Sequence, residues 1–274
     1  MNNPGLYNKC DSKIRTIFGY IALLWHNPRV FFPLIAKTSF SQFEKDLNQN
    51  LIGYPSNHNY LIYNKKIFPK FQLFERSQYI TSLFPEKLES LLDIGCCRGF
   101  YVFKAAHYPT CNLSVGIDVY EPFIAISQKI KSYLNVDKAQ FHLATLEEVC
   151  NNRESYGGAF QVVLLLGTYH YLFWGSAKFS NGFESHSEIL SRLAKICSDR
   201  VIFSARLETN RLSKDIQNKA QMDKDKYAYT THEFLESAQE YFDIHKAGHL
   251  GKYPLFLMLK KECSARQTNR FSGP

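Results

Sequence analysis

The segment Leu91-Leu92-Asp93-Ile94-Gly95-Cys96-Cys97-Arg98-Gly99 constrains this chain more than any other. A short run that is apolar on both faces reads as a central parallel strand, and a glycine-bearing turn follows it directly into the helical pattern of Phe100 to His107. Glycine is required where the backbone turns tightly or approaches a ligand with no room for a Cβ. Asp118 ends the next apolar stretch, Leu113 to Asp118, and lies 19 residues after Gly99. A carboxylate at that distance, one strand further on, is where a nucleotide ribose is gripped at the mouth of an open α/β sheet.

The rest of the chain is consistent with that reading. Helical periodicity at 122–134, a strand near 139–143, a short helix around Glu147, the apolar run Phe160 to Leu166, a helix at 185–196 and a strand at 200–205 give five β units in succession. Phe242 to Ala247 and Leu255 to Lys260 read as a terminal antiparallel hairpin, after a helix opened by Thr230 or Thr231 with Glu233 placed for a capping box. The expected fold is therefore α/β: a doubly wound, Rossmann-like, seven-stranded sheet with a terminal hairpin.

Residues 13–72 carry short helical patterns broken by Pro28, Pro33, Pro55 and Pro69, so an N-terminal helical extension or lid is expected over 1–72. The main α/β domain would then span 73–261, with 208–229 a mobile polar connection and 262–274 a disordered tail. The apolar stretch at 17–25 is nine residues, short of the roughly 20 that a bilayer span needs. With no signal peptide, a cytoplasmic protein without an integral membrane segment is expected. Seven cysteines without a CxxC pair indicate neither a disulfide framework nor a metal site. The net charge of +8 favours anionic partners of several kinds, nucleic acid included, without choosing among them.

The loop lacks a strict G-x-G-x-x-G dinucleotide fingerprint, which counts against a nicotinamide-linked oxidoreductase, because Cys97 stands where a pyrophosphate would approach. It resembles instead the cofactor loop of the class I S-adenosylmethionine-dependent methyltransferases, hydrophobic-hydrophobic-Asp-hydrophobic-Gly-x-Gly-x-Gly, with Cys97 in place of the middle glycine. The resemblance continues through Val115-Gly116-Ile117-Asp118, Phe160 to Gly167 and the terminal Lys252 to Phe256. Gly99-Phe100-Tyr101 and Gly167-Thr168-Tyr169-His170-Tyr171 look most like the branch holding the tRNA wobble-uridine carboxymethyltransferases and many small-molecule methyltransferases.

The resemblance implies S-adenosylmethionine as cofactor, held around Asp93, Gly95, Cys96, Cys97, Gly99 and Gly167, with the ribose hydroxyls on Asp118 and the adenine near Val119 and Leu146. The acid that often ends the third strand is missing from Ala144-Thr145-Leu146-Glu147, so Thr145 or a main-chain group would take its place. His170 is the candidate general base, since imidazole titrates near neutrality. The other reading of a strand-end histidine is a core or pocket-lining residue without proton transfer. Tyr169, Tyr171 and Trp174 are candidates for an aromatic wall around the acceptor or for ordinary packing. His186, at the head of a helix, reads as a solvated cap, and Arg98 and Arg206 as anion holders or surface ion pairs. Cys96 or Cys97 as a nucleophile finds no supporting His and Asp spacing.

The expected function is methyl transfer to an oxygen or nitrogen of a small molecule. The alternatives are a tRNA-modifying enzyme and a binding protein that keeps the fold without turnover.

Overall fold

A computed structural model describes residues 40–51, 58–175, 182–222 and 229–261. The chain divides into two compact units. The smaller comprises Met1–Ser82 and Ala125–Asn135, the larger Leu83–Ile124 and Val136–Pro274. Residues 1–39 of the expected helical extension, with the apolar stretch at 17–25, and the tail 262–274 lie outside the described residues.

In the smaller unit, helix α1 (Gln42–Asn50) opens with a complete capping box. Ser41 accepts from the Glu44 backbone, and Glu44 accepts from the Ser41 backbone. Glu44 is nearly buried yet well supplied with donors, taking hydrogen bonds from the Tyr133 hydroxyl and the Asn64 N–H, both at 2.7 Å. Strands β1 (Tyr60–Tyr63) and β2 (Lys66–Pro69) form an antiparallel hairpin where only helices were expected. Its two-residue turn, Asn64-Lys65, has φ of 47° and 55°. Both residues are left-handed, as in the turns whose twist matches paired strands. Helix α2 (Phe71–Thr81) follows.

The larger unit holds the sheet. Its strands are β3 (Ser90–Ile94), β4 (Leu113–Asp118), β5 (Ala139–Leu143), β6 (Phe160–Leu166), β7 (Cys197–Ser204), β8 (Phe242–Leu250) and β9 (Tyr253–Lys260). They lie in the order β5-β4-β3-β6-β7-β9-β8. The first five run parallel, while β9 pairs antiparallel with β7 and β8 with β9. The doubly wound sheet with its terminal hairpin is thus as expected.

Helices connect these strands: α3 (Phe100–Ala106), α4 (Glu121–Leu134, whose residues from Ala125 belong to the smaller unit), α5 (Leu146–Asn151), α6 (Tyr169–Trp174), α7 (His186–Ile196) and, past β7, α8 (Lys214–Met222). Helix α9 (Thr231–Gln239) leads into the hairpin, with the Thr230 hydroxyl accepting from Glu233 N–H.

Hydrophobic burial organises these pieces. All of β6 except Gln161 is buried, as befits a strand covered on both faces. Helix α7 turns Ile189, Leu190, Leu193 and Ile196 inward at helical spacing.

Two further expectations are corrected. The polar stretch 208–229 reads as a mobile connection, yet it contains α8, where Ile216 and Ala220, four residues apart, bury one face. Residues 169–171 were read as the close of a strand. They form the first turn of α6 instead, since Gly167 at φ 81° ends the extended run of β6. Among the described residues no helix is long and apolar enough to cross a membrane.

Candidate active site

The chain runs outward from β3 through β4 to β5, then returns to the other side of β3 for β6. A crevice opens at such a reversal, beyond the carboxyl ends of the strands. The loop after β3 lies there. Its first residues are tied to β4, with Gly95 N–H and Cys96 N–H both donating to the Ile117 carbonyl at 2.8 and 3.0 Å.

The glycines at either end of this loop are needed for different reasons. Gly95 has φ 72°, and a Cβ there would overlap the Thr168 side chain, whose Cγ2 lies 2.8 Å from that position. Gly99 has φ 74° and precedes α3, and its Cβ would drive into the Phe141 ring. Cys97 also stands in the left-handed region, at φ 52°, although it is not glycine. That conformation costs an ordinary residue roughly 1–2 kcal/mol, and here it is supported by a hydrogen bond from Cys97 N–H to Asp118 Oδ2 at 2.9 Å.

Asp118 takes a second bond on its other oxygen, from Tyr120 N–H at 2.9 Å. The carboxylate therefore links the loops that follow β3 and β4. A carboxylate oxygen can accept more than one hydrogen bond, which suits such a group to a diol. Asp93 is buried within β3. Val119 and, one strand over, Leu143 leave large apolar surfaces exposed at 39% and 54%. Leu143 pairs with Asp118 across β4 and β5, so both surfaces border the carboxylate.

The sequence had singled out Val119 but not Leu143, which ends a strand where an aliphatic side chain carries no special signal. Leu146 is buried in the core. Thr145 caps α5 in a reciprocal box with Glu148, so its hydroxyl is committed locally.

Burial also decides the cysteines. Cys96 lies in the interior with its thiol pushed well up, by desolvation and then by the charges of Asp93 and Asp118. The Cys97 thiol is pushed up to about 12, again chiefly by desolvation. Neither is a thiolate at neutral pH, which removes the basis for a cysteine nucleophile.

On the far side of the crevice, Gly167 N–H donates to the Ser204 carbonyl at 2.6 Å, and a Cβ on Gly167 would meet open space. Of the three residues put forward here, the structure brings two near this end and turns one away. Tyr169 is fully buried, its hydroxyl 2.5 Å from His186 Nδ1, within an aromatic cluster that includes Phe203, Tyr229 and Phe234. His186 is correspondingly a buried core residue and not a solvated cap, which Ser185 supplies instead.

Tyr171 is 42% exposed and lies against His170, with ring centroids 4.0 Å apart. His170 itself is only 3% exposed, and among the described residues its buried Nδ1 has no hydrogen-bond partner. Burial, followed by the Arg206 cation, lowers its pKa to about 4. Arg206 follows β7, its guanidinium 5.3 Å from the centre of the Tyr253 ring and its carbonyl receiving the Tyr229 hydroxyl at 2.6 Å. Arg98 is also buried, its guanidinium 5.2 Å from the Phe123 ring centre.

Trp174, the other member of the suggested aromatic wall, is buried against Phe173 and Tyr229. Three mutually close groups on α9, His232, Glu233 and Glu236, are all exposed.

Residues 85–249 match a protein family described as methyltransferase domain. Among solved structures, the bifunctional kinase-methyltransferase WbdD is 18% identical over 80% of this chain and 42% of its own, with a TM-score of 0.55. EvdMO1 is 11% identical over 80% of this chain and 47% of its own, with a TM-score of 0.51. At those identities the likeness is one of fold, and the chain spans less than half the length of either protein. No curated protein sequence matches it.

Proposed function

Because this chain belongs to the methyltransferase domain family, we propose that it transfers a methyl group from S-adenosylmethionine to an oxygen or nitrogen of a small molecule. The observation that carries the cofactor half is the Asp118 carboxylate, fixed at the mouth of the crevice by the Cys97 and Tyr120 N–H groups. Gly95 and Gly99 keep the adjoining backbone free of Cβ atoms that neighbouring side chains would not admit. These features suit an adenosyl amino acid, with its ribose diol on Asp118 and its adenine against the apolar surfaces of Val119 and Leu143.

When bound, the cofactor supplies a sulfonium methyl activated for displacement. The chain's own task is then to orient the acceptor and exclude water. The open space beside Gly167, with His170 and Tyr171 next to it in sequence, is the proposed acceptor end. His170, neutral over the whole physiological range, acts there as a hydrogen-bonding group and not as a strong base.

The test incubates full-length protein with methyl-labelled S-adenosylmethionine and either a small-metabolite extract or total tRNA. Label in the metabolite fraction supports the proposal. Label in tRNA alone, with RNA affinity falling steeply as salt rises, replaces it with the RNA-modifying alternative. S-adenosylhomocysteine bound with no label in either fraction favours the binding protein without turnover.

A further inference from the structure

The two ends of the crevice differ in the charged groups that act there. Asp93 and Asp118, with the Arg98 cation, bear on Cys96 and Cys97 at the ends of β3 and β4. At the ends of β6 and β7 the Arg206 cation acts on His170. The Gly167 to Ser204 hydrogen bond and the Leu166 to Ser204 register bring these last two strand ends together. Tyr253 packs against the guanidinium, and such stacking restricts the orientation of its planar donor array.

Among the described residues, the influences on the His170 imidazole are burial and that cation, with no carboxylate among them. A histidine that removes protons is commonly backed by a carboxylate that stabilises its imidazolium. His170 has the reverse, a cation for a neighbour, and a buried nitrogen still lacking a partner among the described residues. An unmet polar atom at such depth costs free energy that a ligand atom would recover.

From this arrangement we infer that the acceptor atom is an oxygen already ionised in solution, as in a carboxylate or a phosphate, received by the Arg206 guanidinium and the Nδ1–H of His170. The inference rests on the methyltransferase reading and narrows its acceptor. The oxyanion's lone pair forms the O–C bond while the S–C bond of the sulfonium breaks and sulfur keeps the bonding pair. One negative and one positive charge cancel, and no proton moves. A dry site favours that cancellation, and burial together with a nearby guanidinium disfavours an ammonium acceptor.

The experiment uses full-length protein, labelled S-adenosylmethionine and a small-metabolite extract split by ion exchange at pH 7 into anionic, neutral and cationic pools. Label is expected to enter the anionic pool. Mild alkali then separates the two sources, since a carboxylate methyl ester releases labelled methanol and a methyl phosphate does not. With the anionic pool, Arg206→Met is expected to raise KM about tenfold or more, the loss of one charged hydrogen bond, and Arg206→Lys to recover part of it.

S-adenosylhomocysteine affinity, read by calorimetry, should stay unchanged in both variants and reports their folding independently. Label confined to the neutral or cationic pool overturns the inference and leaves the cofactor reading standing, as does an unaltered KM in Arg206→Met. Failure of the wild-type protein to bind S-adenosylhomocysteine overturns both.

Discussion

The Oδ2 atom of Asp118 lies 2.9 Å from the backbone nitrogen of Cys97, so the residue that ends β4 holds the only non-glycine left-handed position in the loop that follows β3. Fixing that loop and presenting acceptor atoms to a ligand are then two duties of one carboxylate.

Replacing it should affect both. Asp118→Asn turns one oxygen into a donor that must face either the Cys97 or the Tyr120 N–H. The loss of a charge-assisted bond is worth about 1.5–3 kcal/mol, so calorimetry should show S-adenosylhomocysteine binding weakened by roughly tenfold to a hundredfold. Affinity within about twofold of wild type, a few tenths of a kcal/mol, would remove Asp118 from the cofactor site.

Two glycine substitutions separate steric overlap from backbone strain. Gly99→Ala places a methyl inside the Phe141 ring as well as at positive φ, whereas Gly167→Ala meets open space and strains only its backbone. Denaturant unfolding should give losses of about 2–4 kcal/mol for the first and about 1–2 for the second. Equal losses would mean that Phe141 moves aside at no cost.

Peptide mass spectrometry after brief alkylation at pH 7.5 should find Cys96 and Cys97 unmodified in native protein and fully modified in denaturant. Their burial and raised thiol pKa both point that way. Rapid native labelling would revive a nucleophilic role. Cys97→Gly, which relieves the left-handed strain but loosens the unfolded chain, should change stability by no more than about 1 kcal/mol.

His170 makes stability depend on pH in a definite direction. Its pKa falls from 6.5 to about 4 on folding, so between those values the unfolded chain holds the extra proton. Stability is therefore full above pH 6.5 and declines as pH drops toward 4. The integrated effect is about 3 kcal/mol. His170→Gln should flatten the urea midpoint over that window relative to wild type. In activity, kcat/KM should show no histidine limb between pH 6 and 7.

The buried pair of Tyr169 and His186 is expected to be structural. Tyr169→Phe removes the hydroxyl and leaves His186 Nδ1 without that partner, a loss of about 1–3 kcal/mol by thermal or urea unfolding. Methyl transfer measured well below the melting temperature should fall by less than about threefold, under 1 kcal/mol of transition-state energy.

What could be read from the sequence divides along physical lines. The parallel strands were legible because continuous apolar runs such as Phe160 to Leu166 and turn glycines such as Gly95 and Gly99 leave unmistakable local patterns. The place of Asp118 at the end of β4 was legible from the apolar run before it. The hairpin of Tyr60 to Pro69 was not, because Asn64-Lys65 is an uncommon pair for a left-handed two-residue turn, and Pro69 read as a helix breaker when it ends an edge strand.

The aromatic segment after Gly167 was half legible. Its place at the end of β6 follows from order, but whether Tyr169 or Tyr171 faces inward depends on a helical turn that six residues cannot announce. The same turn carries His170 to a depth where its proton affinity falls, and no feature of the sequence sets that depth.

The strand order has a consequence for how the molecule comes into being. β8 precedes β9 in the chain but among the described strands pairs only with it, while β9 covers the outer edge of β7 through contacts such as Arg200 with Leu259. During synthesis β7 must wait for some of the last described residues before its backbone groups are met. A nascent or C-terminally shortened chain therefore presents an uncovered, largely apolar strand edge, the kind of surface on which neighbouring chains associate.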